Sequence, residues 1–595
     1  MIKRFLPTAL LVAATLAWAT LSHSCANTTT PPGGGPKDTI PPVIVKVSPP
    51  SGTTGFPLTG GKITIGYDEY TVIKTPADIF LSPPVKRRTS GAAKGRGLVF
   101  TIQDTLAENT TYTLDLAQAV ADNNEGNLAP RFVYVFSTGE RIDSLYMTGS
   151  VIDCQTLRPV KGVMVAAYSD LSDSACFNAR PRAATKTDDW GFFVLRNIPD
   201  STFRLYAFED GDGDYKYNPD TDNIAFLDTL YRPVAMVADS IYELRSFDMK
   251  DTVKCQRRKA DVTMRLFKES QSIQYLQHYG RLSDKAGFLK FSAAGVNITE
   301  MEFMGYKSDE VILQYNPARD SLNFWIQSRY RVGDTLLLRL DYMKTDSTGV
   351  LAPFHENLTM GMPSDTNLLA AIAKKEQDTV FLMKVTAKDD TFEYEGITIE
   401  MPDPVAEFHA DSIRFIETNP RNQTTDALLK MERDTSDIRI FRLLPQDSIK
   451  VGYNYELVIP RGTFTDIYGL ENQEANTKLS IPQNEELSSI TLNLTGIDTR
   501  YIVELVDEKM TVVHRRFTLD EDRVIICKYL KAGKYALRIT RDDNRNGFFD
   551  TGNLLEKRQP EMVIIYRFSD GLEVMTLPER TDVEQDINIT ELFTL

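Results

Sequence analysis

A chain of 595 residues is too long for one hydrophobic core and is expected to divide into three to five domains. Apolar residues make up 42% and aromatic residues 10%, the composition of a folded protein, which argues against long-range disorder. The formal charge of −15, with no dense Lys/Arg stripe, argues against nucleic acid as a partner, because an acidic surface repels phosphate.

Lys3 and Arg4, followed by the mostly apolar residues 9–21, read as an export signal over residues 1–24. That run is short for a membrane span, and no later stretch approaches the ~20 apolar residues a span requires. Small residues lead to Cys25, and residues 26–35 are a low-complexity Ala/Asn/Thr/Pro/Gly tether. The junction resembles a lipoprotein processing site, where the cysteine thiol is acylated and becomes the new N-terminus. Leu21 stands four residues before the cysteine instead of three, and His23 is unusual there. The resemblance implies a lipidated Cys25 and a flexible tether over 25–40, with the membrane reached through the lipid. Ordinary cleavage near residues 17–19, leaving Cys25 free, is the alternative.

Beyond the tether, strand signals dominate. Residues 62–67, 111–116 and 336–340 are rich in Ile, Leu, Thr and Tyr and are bounded by Gly, Pro, Asn and Asp turns. One short helix is predicted over 367–375. The fold class is all-β: tandem sandwich domains in an extended chain. An internal repeat orders them. Asp104-Thr105-Leu106, Tyr112, Asp122 and Gly126 recur as Asp447-Ser448-Ile449, Tyr455, Asp466 and Gly469, with a weaker copy through Asp334-Thr335-Leu336, Asp346 and Gly349. After the first and last copies comes a different module, in which a strand runs into an acidic loop at Asp210 and again at Asp542. The divisions are 41–140, 141–250, 256–365, 376–484 and 485–595, in the order sandwich, acidic-loop module, sandwich, sandwich, acidic-loop module.

The opening at residues 41–52 resembles the bacterial S-layer-type Ig-like domain. Residues 149–153, 159–163 and 187–193 resemble a carboxypeptidase-regulatory, transthyretin-like domain. With the Cys25 tether, the whole is similar to Ig-like envelope lipoproteins of Bacteroidota. The resemblance implies sandwich folds, a cell-envelope location and no catalytic activity.

A calcium loop needs hard oxygen ligands at alternate positions and further oxygens near positions nine and twelve. Asp210, Asp212, Asp214 and Asn218, with Asp220 and Asp222 straddling position twelve, fit this spacing, although Tyr215 replaces the turn glycine. Asp542, Asn544, Asn546, Asp550 and Asn553 fit it with Gly547 at the turn, although Asn553 replaces the bidentate Glu. The loops resemble the calcium loops of adhesin B-type modules; a solvated Asp/Asn/Gly turn is the alternative. Calcium is the one cofactor expected. Four later cysteines, Cys154, Cys176, Cys255 and Cys527, form no CxxC pair, and buried free thiols are expected over a Cys154–Cys176 disulfide. No GxSxG elbow or HExxH motif occurs, and the four remaining histidines are scattered, so no catalytic site is expected. Trp190 and Trp325 are expected to pack in sandwich cores rather than to stack on sugars.

Asp-(Ser/Thr)-apolar triplets recur from Asp38 to Asp447 and resemble the O-glycosylation acceptor of Bacteroidota envelope proteins, with Thr105, Thr229 and Thr335 as candidates. The same triplet is also how a strand begins after a turn. The expected function is a non-catalytic envelope scaffold that binds other envelope proteins or glycans. The alternative is an envelope enzyme, or an accessory subunit of a glycan- or peptide-processing complex.

Overall fold

The computed structural model describes residues 38–87, 89–235, 261–270, 273–328, 330–347, 349–362, 379–388, 391–480 and 487–594. Cys25, Cys255 and the helix predicted over 367–375 lie outside the described residues. The chain divides into two compact units, the first ending at Ser144 and the second beginning at Leu145. Both are almost entirely β, as the sequence patterning predicts.

The first unit is one sandwich. Strands Ile44–Ser48, Lys62–Tyr67, Gly97–Thr101 and Ser90–Ala93 form one sheet in that order. Phe80–Ser82, Thr111–Asp115 and Val133–Ser137 form a second, and Thr71–Ile73 pairs with Val120–Asp122. Alternation in Lys62–Tyr67 sends Ile63, Ile65 and Tyr67 inward, where they meet Leu98, Phe100, Leu114 and Phe136 in one core.

The second unit repeats this plan. Lys384–Thr386, Ile397–Glu400, Ile440–Pro445 and Leu429–Arg433 reproduce the first sheet order, and Arg414–Thr418, Asn454–Ile459 and Ala475–Ser480 the second. Between residues 276 and 361 a third sandwich keeps the two main sheets. The repeated residues have repeated jobs. The Tyr112 hydroxyl accepts the Ala107 N–H at 2.9 Å, and the Tyr455 hydroxyl accepts the Lys450 N–H at 2.9 Å, so both copies carry a tyrosine corner. In the weaker copy the strand Thr335–Thr345 starts directly after Asp334, leaving no corner, and Tyr342 instead accepts the Leu276 N–H at 3.1 Å. The Asp/Gly turns also match. Asp122, Asp346 and Asp466 each accept the N–H four residues on, from Gly126, Val350 and Leu470. Gly126, Gly349 and Gly469 supply the left-handed φ these turns require, at 81°, 81° and 87°.

The two acidic-loop modules share one topology. Leu145–Asp153 lies between antiparallel Phe192–Ile198 and parallel Val262–Leu266; Leu487–Thr495 lies between antiparallel Arg523–Lys531 and parallel Asp582–Asn588. Across each sandwich, Ala183–Lys186, Met164–Tyr168, Arg204–Phe208 and Ile224–Phe226 correspond to Val513–Leu519, Arg500–Asp507, Gly533–Asp542 and Val563–Ile565. This corrects the division expected at 250–256. Val262–Leu266 closes the earlier module, because a parallel partner is reached only by a long crossover and so stands far along the chain.

Cys154, Cys176 and Cys527 are free and buried; burial pushes the first two thiols up to about 12 and the third to about 11. Trp325 is core, as expected. Trp190 is not: it is 66% exposed at a tight turn where Asp188 accepts the N–H groups of Trp190 and Phe192. Among the described residues no helix is long and apolar enough to cross a membrane.

Candidate functional site

Each acidic loop leaves the end of a central strand, Arg204–Phe208 or Gly533–Asp542, and returns to a short edge strand, Ile224–Phe226 or Val563–Ile565. The two loops have the same skeleton. Asp210 accepts the Tyr215 N–H at 3.4 Å, and Asp542 accepts the Gly547 N–H at 2.7 Å. Asp212 accepts the Asp214 N–H, as Asn544 accepts that of Asn546. Gly213 and Arg545 are both left-handed, at φ 76° and 60°, and so are Tyr215 and Gly547, at 65° and 80°. Tyr215 therefore adopts the backbone conformation of the turn glycine it replaces, which costs a bulky residue energy that glycine avoids.

The loops differ in charge balance. In the first, carboxylate oxygens of Asp210, Asp212 and Asp214 lie within 4.8 Å of one another. Burial first, then Asp212 and Asp214 beside it, push the Asp210 carboxyl up from 3.8 to about 6, against the Tyr215 N–H that lowers it. Three clustered carboxylates are a hard-oxygen donor set of the kind calcium takes. Asn218 and Asp222, two other proposed ligands of this loop, hold its own turns. Asn218 caps the Asp220 N–H at 3.1 Å, and the buried Asp222 accepts the Asn218 N–H and the Thr221 hydroxyl at 2.9 and 2.8 Å.

In the second loop the positions of Asp212 and Asp214 are amides, and amides can donate. Asn544 and Asn546 both give N–H bonds to Asp550, at 2.5 and 2.7 Å, taking the part a cation would play. Asn553 does not join them: its side chain caps the Glu556 N–H at 2.9 Å. Glu561, which spacing arguments missed, holds the loop by accepting the N–H groups of Asp543 and Asp550 at 2.9 and 3.0 Å. Burial, with Asp550 and Asp542 nearby, raises its carboxyl. Glu561 stands two residues before Val563 as Asp222 stands two before Ile224, a correspondence visible only once the strands are aligned.

Residues 38–138 match the bacterial Ig-like domain family, which covers the first sandwich. No curated protein matches the chain. Similar solved structures include surface layer protein SbsC, domains 1–6, at 7% identity, covering 74% of this chain and 67% of that one with a TM-score of 0.16. Another is BcpA, the major pilin subunit of Bacillus cereus, at 10% identity, 74% and 99% coverage and a TM-score of 0.12. A third is the ICAM-5 D1–D4 ectodomain fragment, at 9% identity, 73% and 98% coverage and a TM-score of 0.11. TM-scores this low define no shared whole-chain fold.

Proposed function

We propose that the protein is a non-catalytic scaffold of the bacterial cell envelope, exported, tethered by a lipid on Cys25 and presenting calcium-responsive modules to envelope proteins or glycans. The observation that carries this reading is the duplicated order itself. Two acidic-loop modules of one topology flank two Ig-like sandwiches, behind a sandwich of the bacterial Ig-like family. Each sandwich is built around its own core, an arrangement suited to spacing and presentation. Capture of the tagged protein with its native envelope complex should return stable envelope partners. Turnover of any member of a glycan and peptide panel, lost on changing a single carboxylate, would replace the scaffold with an enzyme.

Calcium belongs to the same proposal, with Asp210, Asp212 and Asp214 as its ligands in the first loop. Glycosylation is proposed at Thr105, Thr229 and Thr335, whose side chains are exposed. Packing explains two of these triplets, since Leu106 and Leu336 are pinned in cores. It does not explain the third, where Leu230 is 44% exposed. Intact mass of protein taken from its native envelope should exceed the polypeptide mass; bare peptides at all three sites would leave only a strand-start pattern.

A further inference from the structure

Within the second unit the last module returns to the first. Leu157 packs against Val506, Met510, Ala536 and Ile565 of the last module, and Arg158 donates to the Glu508 carbonyl at 2.9 Å. From the other side, the arm following the second acidic loop reaches across. Thr551 donates to the Lys268 carbonyl at 2.5 Å, the Leu554 N–H to Glu269 at 2.6 Å and the Gln559 amide to Asp228 at 2.9 Å, while Lys557 pairs with Asp173 at 2.9 Å. Glu269 also accepts the Tyr217 hydroxyl at 2.5 Å, so one carboxylate ties the flanks of both loops.

We propose that this contact is a releasable clasp: the two modules part without unfolding, and the two intervening Ig-like sandwiches then link them. Two observations carry the proposal. The contact is mostly polar, the character of domain interfaces that open and close. The two modules keep separate cores, residues 147–266 in one and 490–589 in the other. By contrast, the last module shares a core with the fourth sandwich, where Leu487 and Tyr529 are packed in.

The test uses the chain from residue 26, lacking the leader and the lipid-bearing Cys25, with the radius of gyration measured by small-angle scattering. A Cβ on Gly552 would lie 2.5 Å from the Phe267 ring, so Gly552→Val should wedge the clasp open. Leu157→Asp places a charge on the apolar seat. Lys557→Glu, at an exposed site that touches neither core, sets like charges against Asp173. All three should enlarge the radius, Lys557→Glu least, while the β-sheet circular dichroism stays at the wild-type level. An unchanged radius in all three variants overturns the proposal. So does a radius that grows only as β-sheet signal is lost, because the contact would then be part of one fused core.

Discussion

At the scale of single residues, the same side chain does different work according to what the chain does next. Tyr112 and Tyr455 close corners because residues 107–110 and 450–453 turn before their strands begin, whereas Tyr342 lies within a straight strand and braces a neighbouring segment. Removing the Tyr112 hydroxyl strands a part-buried N–H, so Tyr112→Phe should destabilise the first sandwich by about 1–3 kcal/mol. The Ala107 amide should lose protection in hydrogen exchange, and the Lys450 amide should keep it. Asp210 makes a pH prediction. Its folded pKa, about 6, is raised above the ordinary 3.8, so between these values the folded state keeps a proton that the unfolded state releases. Stability without a divalent cation therefore falls as pH rises through that window. Calcium binds the deprotonated form, so its stabilisation should grow over the same window, and melting curves from pH 4 to 7 with calcium or chelator test both signs.

At the scale of elements, the two loops are one backbone solution with two ways of neutralising it. The first crowds three carboxylates and is expected to melt higher with calcium, a gain that Asp212→Ala should abolish. The second satisfies Asp550 with the amides of Asn544 and Asn546 and should respond weakly. Converting both, Asn544→Asp with Asn546→Asp, removes those donors and adds two charges. The variant should melt lower than wild type in chelator and recover with calcium, and an equal loss under both conditions would show that the second loop cannot hold the ion.

At the scale of the whole molecule, the scaffold reading depends on where the chain is held. Cys25→Ala should release the protein from the membrane or stall its processing, and mass spectrometry finding an unmodified Cys25 in the mature protein would overturn the anchor. What the amino-acid sequence determined by itself is local: strand alternation, the Asp/Gly turns, the recurrence of Tyr112 as Tyr455 and the spacing of Asp210, Asp212 and Asp214. Each depends on neighbours within about a dozen positions, and a period of two or a turn motif survives in any surroundings. The tertiary structure decided everything that depends on distant partners. It placed Val262–Leu266 beside Leu145–Asp153, left Trp190 in solvent, gave Glu561 the N–H groups of the second loop and brought Lys557 to Asp173. An acidic or aromatic residue takes its role from what folds against it, and that is set by crossovers and domain closure rather than by composition or spacing.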